Sequence, residues 1–284
     1  MSNLFPKART LIFSTLTAAT LFGALAQANA PLEPSILGGK KVPASSPFAS
    51  SAVFIYDMKR SALCSGTLIA PHFVLTAAHC TNQDPTQLMV VFSNQLPTVE
   101  KPMDPSLVRR VFAGRTTSGW SQVTPQTPNN WGDLAVIRYD GDTPAEARPA
   151  TLLPSTAGLI PGAPLLLAGY GITNGLQPKD PTGLRDVTVP LAEIVSPTEF
   201  AINQSAGKGI CHGDSGGPAY LKTTTGWAVA GVTSRSNPGC TEVAIFTEVT
   251  PYLSWIQGTM KALATMKKPE KIPQPSFNSD SAQE

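Results

Sequence analysis

Three histidines, His72, His79 and His212, are all that the 284 residues contain, so any histidine-dependent chemistry has few candidates. Charge is also sparse: Asp, Glu, Lys and Arg make up 14% of the chain, and the formal net charge is +2. There is no basic cluster of the kind that binds phosphate, which argues against a nucleic-acid partner. No histidine pair has the HExxH spacing of a catalytic zinc site, and no EF-hand calcium loop occurs. The four cysteines contain no CxxC pair, which leaves structural zinc only as a rival reading. The expectation is therefore no metal and no cofactor. Long apolar runs are missing too. The run from Leu11 to Leu25 is short for a membrane span, and no later stretch could cross a bilayer.

What is abundant points to one kind of fold. Hydrophobic residues account for 42%, enough for a sizeable core, and 27 Pro and 23 Gly are spread along the chain. So many breakers favour short strands joined by turns over long helices. Runs rich in Val, Ile and Leu, bounded by Gly, Pro, Asn or Ser, predict strands over 48–56, 63–70, 73–76, 88–92, 107–112, 134–139, 165–167, 187–191, 228–233 and 243–249. Repeated strands of this kind build a sandwich or a barrel. One segment differs. Thr250 is placed to cap a helix and Pro251 suits its first turn. Leu253, Ile256, Met260 and Leu263 then fall at helical spacing, predicting a helix over 250–266 with one apolar face. Residues 267–284 are polar with little to bury and read as a flexible tail.

The N-terminus reads as a secretory signal. Lys7 and Arg9 precede the apolar run, and Ala24, Ala26, Ala28 and Ala30 follow as small residues. A cut after Ala30 would set Pro31 beside the scissile bond, so the cut is expected after Ala28, giving a signal peptide over 1–28 and a short propeptide over 29–35. An uncleaved membrane anchor is the alternative. Signal removal leaves 19 basic and 19 acidic residues and no membrane segment. The expected location is secreted, either periplasmic or extracellular. There two disulfides are the default, although four cysteines allow three pairings and spacing does not choose among them.

Two short segments carry the chemistry. His79 lies in Leu75-Thr76-Ala77-Ala78-His79-Cys80, and a histidine held beside a disulfide cysteine has the rigidity a general base needs. Ser215 lies in Gly213-Asp214-Ser215-Gly216-Gly217-Pro218, where glycines let the backbone turn tightly and aim successive amides at one point. Taken alone, each has a bland reading, a structural histidine and a Gly-rich hairpin. Together they resemble the two signature motifs of trypsin-like serine proteases, in the family's chain order of His, Asp, Ser. The resemblance covers about 36–266. It implies two six-stranded antiparallel β-barrels packed side by side, with a C-terminal α-helix. The first barrel is expected over about 36–150 and the second over about 151–249.

Further roles follow from the resemblance. Asp133, in Gly132-Asp133-Leu134-Ala135, completes the catalytic triad with His79 and Ser215, and the amides of Gly213 and Ser215 form the oxyanion hole. Cys64 pairs with Cys80 and Cys211 with Cys240. Ile36, in Ile36-Leu37-Gly38-Gly39, becomes a new N-terminus that pairs with Asp214, as in a zymogen, although Ser35 stands where the family has Arg or Lys. Gly209 forms the floor of the substrate pocket where trypsins carry Asp, Ser236 and Ala244 line its wall, and Ser234 pairs its backbone with the substrate. This implies cleavage after small or medium uncharged residues. Arg235 and His212 leave open a preference for acidic residues. His72, after Pro71, is expected at a surface turn. The implied partners are protein or peptide substrates and protein protease inhibitors, and the chain is expected to act as a monomer. Two other function classes remain: a binding protein without catalysis, and an esterase using the same site.

Overall fold

The computed structural model describes residues 36–81, 84–98, 101–120, 132–171 and 183–270, all within the compact unit Leu32–Glu284. The expected signal peptide, propeptide and most of the tail lie outside the described residues. In chain order the strands are β1 (Lys40–Lys41), β2 (Ala52–Asp57), β3 (Ala62–Ala70), β4 (Phe73–Thr76), β5 (Leu88–Val91), β6 (Val108–Thr116) and β7 (Ala135–Tyr139). They continue with β8 (Thr151–Leu152), β9 (Pro164–Gly169), β10 (Arg185–Ser196), β11 (Glu199–Asn203), β12 (Pro218–Thr223), β13 (Gly226–Ser236) and β14 (Val243–Glu248).

The first barrel closes in the order β2-β3-β4-β7-β6-β5, with every neighbour antiparallel. Alternation along the strands explains its filling. Val53 and Ile55 of β2, with Leu88 and Val90 of β5, join Leu68, Val74, Val111 and Ile137 in one buried cluster. The intervening Phe54, Leu75, Val91 and Val136 are buried as well. They pack with Leu166, Tyr170, Tyr220 and Val229 of the other half. Burial on both faces is why these strands read as continuous apolar runs.

The second barrel runs β10-β11-β14-β13-β12-β9 and is closed by antiparallel pairing of β9 with β10. The fold is thus two six-stranded antiparallel barrels. The short β8 adds a parallel pairing to β13. The opening stretch, which sequence assigns to the first barrel, pairs with the second instead: Lys40 and Lys41 of β1 face Asp186 and Arg185 of β10. β11 and β12 have no counterpart among the expected strands.

A 3-10 turn, Thr250–Tyr252, leads into the helix α1 (Leu253–Ala264). Thr250 is not its cap. The Thr250 hydroxyl donates to the carbonyl of Leu153 at 3.0 Å, and the turn takes up the helix entry that a cap would otherwise satisfy. Ile256 and Leu263 are buried, while Leu253 and Met260 are half-buried. Although α1 follows the second barrel in the chain, it packs on β6 and β7 of the first. Arg138 of β7 secures its far end. Its Nη1 donates to the carbonyls of Leu263 (2.6 Å), Ala264 (3.2 Å) and, just past the helix, Met266 (3.1 Å), setting a cation at the negative end of the helix dipole. The same guanidinium lies 4.9 Å from the centre of the Phe112 ring.

Candidate active site

Strand register brings the first two candidates together. β4 and β7 are antiparallel with Thr76 opposite Ala135, so the chain after Thr76 and the chain before Ala135 leave the ladder at the same end. The first enters a 3-10 turn, Ala78–Thr81, carrying His79; the second carries Asp133. Asp133 Oδ2 lies 2.8 Å from His79 Nδ1, and Oδ1 accepts the His79 backbone amide at 3.0 Å. Ser234 Oγ donates to Oδ2 at 2.7 Å, and Thr247 Oγ1 donates to the Asp133 carbonyl at 3.2 Å. The Asp133 carboxylate is 1% exposed. Three donors therefore satisfy it where water does not, and they hold the imidazole with Nδ1–H toward the carboxylate. His79 itself is half-buried, with the Trp120 ring centre 6.3 Å away. Cys80, next in sequence, is bonded to Cys64 of β3, which staples the turn to the barrel.

Ser215 sits in the turn that enters β12. Gly216 has φ +80°, and a Cβ there would stand 2.0 Å from Thr76 Oγ1 and 3.0 Å from the Ala77 nitrogen. The turn therefore lies directly against the chain leading to His79, and only glycine allows so close an approach. Ser65 of β3 fixes the turn from below. Its amide donates to the Ser215 carbonyl at 2.7 Å and its Oγ donates to the Gly213 carbonyl at 2.9 Å, while that Oγ accepts the amide of Tyr170 at 3.1 Å. Gly213 takes φ +96°. Among the described residues, the amides of Gly213 and Ser215 donate to no protein group, and no hydrogen bond joins Ser215 Oγ to the His79 ring in this conformation.

Asp214 points into the second barrel. Its Oδ1 accepts the Gly171 amide and its Oδ2 the Cys211 amide, each at 2.8 Å. No cation pairs with it among the described residues. Burial pushes its carboxyl up to about 7, against the opposing pull of those two amides. Nearby, Leu37 packs on the Cys211–Cys240 disulfide, and its carbonyl accepts the Gly209 amide at 3.1 Å. Ile36 is fully buried in the second barrel's core cluster.

Of the expected pocket residues, Ser236 lies opposite Ala244 across β13 and β14, and Gly209 begins the loop that leads to Ser215. Arg235 is bound by Glu199, Nη1 and Nη2 each donating to a carboxylate oxygen at 2.9 Å. Its charge is neutralised within the protein, which removes its support for acidic substrates. His212 is exposed, with Nε2 3.0 Å from the Pro238 carbonyl. His72 occupies the turn joining β3 and β4 at φ +71°, its ring beside Tyr139. Sequence reasoning missed two groups. Ser234 was singled out for its backbone, but its hydroxyl reaches Asp133. Ser65 carried no signal, being one serine within an apolar strand.

Comparison with known proteins finds matches over most of the chain. A family model described as Trypsin matches residues 36–256. Brachyurin of Leptuca pugilator is 32% identical over 238 residues, spanning 78% of this chain and 97% of that protein. Granzyme M of Homo sapiens is 31% identical over 241 residues, covering 78% and 88%. Granzyme M of Rattus norvegicus is 29% identical over 247 residues, covering 79% and 89%. The double barrel and these matches define a serine endopeptidase, a hydrolase acting on proteins or peptides. The chain belongs to the trypsin family.

Proposed function

We propose that Ser215, His79 and Asp133 are the catalytic triad of this endopeptidase. The observation that carries the reading is the buried Asp133 carboxylate, which holds the His79 ring through Nδ1 and so leaves Nε2 free as the base. Ser215 Oγ attacks the scissile carbonyl as His79 Nε2 takes its proton. The two undonated amides of Gly213 and Ser215 receive the oxyanion, and His79 returns the proton to the leaving amine. Water then releases the acyl-enzyme by the same steps. Gly209, Ser236 and Ala244 form an uncharged pocket, so the bond cleaved follows an uncharged side chain. A fluorophosphonate probe is expected to label Ser215, and casein is expected to be cut into peptides. Labelling without casein cleavage would favour an esterase, and no labelling at all a binding protein.

Maturation belongs to the same proposal: cleavage between Ser35 and Ile36 frees an amine that pairs with Asp214. Two observations support it. Asp214 is a buried carboxylate lacking a cation among the described residues. Ile36 is β-branched yet sits at φ +49°, a costly conformation. Cleavage abolishes that torsion, because φ is defined by the preceding carbonyl carbon. The pH dependence has a definite sign. With a folded pKa near 7 and an unfolded value of about 4, Asp214 binds its proton more tightly in the folded chain. The uncleaved chain therefore keeps this contribution below about pH 4 and loses it as pH rises to about 7. Cleaved enzyme, with an ion pair in place, does not show that loss. Thermal melts of both forms across this range, with N-terminal sequencing of active enzyme, test the idea. Full activity with the chain still continuous through Ser35 would refute it.

The segment 1–28 is proposed to direct export. Among the described residues no helix is long and apolar enough to cross a membrane.

A further inference from the structure

Gln204 lies just past the end of β11 and is 1% exposed. Its backbone is fixed at both ends: the amide donates to the Glu242 carbonyl at 2.6 Å, and the carbonyl accepts the Gly207 amide at 2.9 Å. Its side chain turns toward the loop that leads to Ser215, where Oε1 accepts the Ile210 amide at 2.5 Å. That contact assigns the carboxamide, because an NH2 there would oppose the Ile210 N–H. The remaining atom, Nε2, is buried and has no hydrogen-bond partner among the described residues.

The carboxamide also fills the place of a side chain at residue 209. A Cβ built on Gly209 would stand 2.0 Å from Gln204 Oε1 and 2.6 Å from its Cδ. The glycine at this position is therefore not an empty floor, because a polar group reaching in from β11 covers it. The wall is close by. Ile202 pairs with Ala244 and Ala244 with Ser236, so β11, β14 and β13 run side by side at this level. Ser236 Oγ directs its proton to the Asn237 carbonyl at 3.2 Å or to Cys240 Sγ at 3.9 Å, and its lone pairs accept no donor among the described residues.

We propose that Gln204 is a specificity-determining residue. It forms the floor of the primary pocket, and its unpartnered amide selects a substrate side chain that ends in an uncharged hydrogen-bond acceptor. The carboxamides of Gln and Asn fit best: their oxygen accepts from Gln204 Nε2 and their NH2 donates to Ser236 Oγ. An aliphatic side chain leaves the buried amide unpaired. A carboxylate would be desolvated against a single neutral donor, and Lys or Arg would bring donors to a donor. The inference rests on the reading of Gly209, Ser236 and Ala244 as the pocket.

The test is kcat/KM on peptides that differ only at the residue before the cleaved bond, with active sites counted by fluorophosphonate titration. Wild-type enzyme is expected to favour Gln over Met, and Asn over Leu, by about 10–100-fold. Gln204→Leu should bring the Gln-to-Met ratio close to one while Met peptides are still cut. Gln204→Glu keeps an acceptor for the Ile210 amide but replaces the donor with an anion, and should shift preference toward Lys. A wild-type profile in which Met and Leu outrank Gln and Asn overturns the proposal without any variant. So does a Gln preference that survives Gln204→Leu. Ala244→Leu tests the pocket separately: an unchanged profile in that variant means that the pocket lies elsewhere, whereas exclusion of large side chains upholds it. Failure of wild type to label at Ser215 sinks the catalytic reading underneath, and this inference with it.

Discussion

Replacing Ser215 with alanine is expected to lower kcat by about a millionfold, the scale at which nucleophile deletions fall when triad members act as a unit. The substitution removes one oxygen from a turn held by its backbone. Ser65 grips the carbonyls of Gly213 and Ser215, and Gly216 abuts Thr76, so none of the supporting contacts uses the Ser215 hydroxyl. Folding should therefore be unaffected, with an unchanged melting temperature beside a lost reaction. The two amides persist, so residual turnover of roughly a thousandfold over water is expected to remain. Peptide hydrolysis measured on active-site-titrated wild type and on folded variant checks this. A variant retaining even a hundredth of wild-type kcat would require another nucleophile.

Asp133→Asn should cost about ten-thousandfold in kcat. The carboxylate accepts from three donors: the His79 amide at Oδ1, and both His79 Nδ1 and Ser234 Oγ at Oδ2. A carboxamide has one acceptor end. With its oxygen toward the ring, its NH2 opposes the His79 backbone N–H. With its NH2 toward the ring, it donates to Nδ1 and drives the imidazole proton to Nε2, the atom that must accept from Ser215. Each orientation fails, one by an unpaired buried donor and the other by the wrong tautomer. Steady-state kinetics with a proton NMR assignment of the His79 tautomer distinguish this from unfolding. A loss of under tenfold would remove Asp133 from the site.

Much of this was legible in the sequence, for identifiable reasons. Glycines and prolines set off short apolar runs, so strands such as β3, β4 and β7 could be placed within a few residues. The His79 and Ser215 segments stood out because each concentrates rare residues in a fixed order. β11 and β12 did not, since Glu199–Asn203 and Pro218–Thr223 are short, mix Ala, Pro and polar residues, and are buried by neighbours distant in the chain. Ser65 and Gln204 were invisible for the same reason: an isolated polar residue acquires its role only from the backbone groups that folding brings to it. The role of the Ser234 hydroxyl was hidden because its partner, Asp133, is far away in the chain beside β7. Thr250 shows propensity overridden by tertiary contact, its hydroxyl taken by Leu153 instead of the helix.

The clasp of Arg138 on the end of α1 ties the first barrel to a segment that follows the second. The helix covers β6 and β7 of the first barrel, yet among the described elements it comes last in the chain. Strand pairing in both barrels uses no residue of α1, so without the helix the barrels can close while the flank formed by β6 and β7 stays bare. A chain cut short before Leu253 would therefore keep every described strand of both barrels and still expose the apolar flank that Ile256 and Leu263 cover.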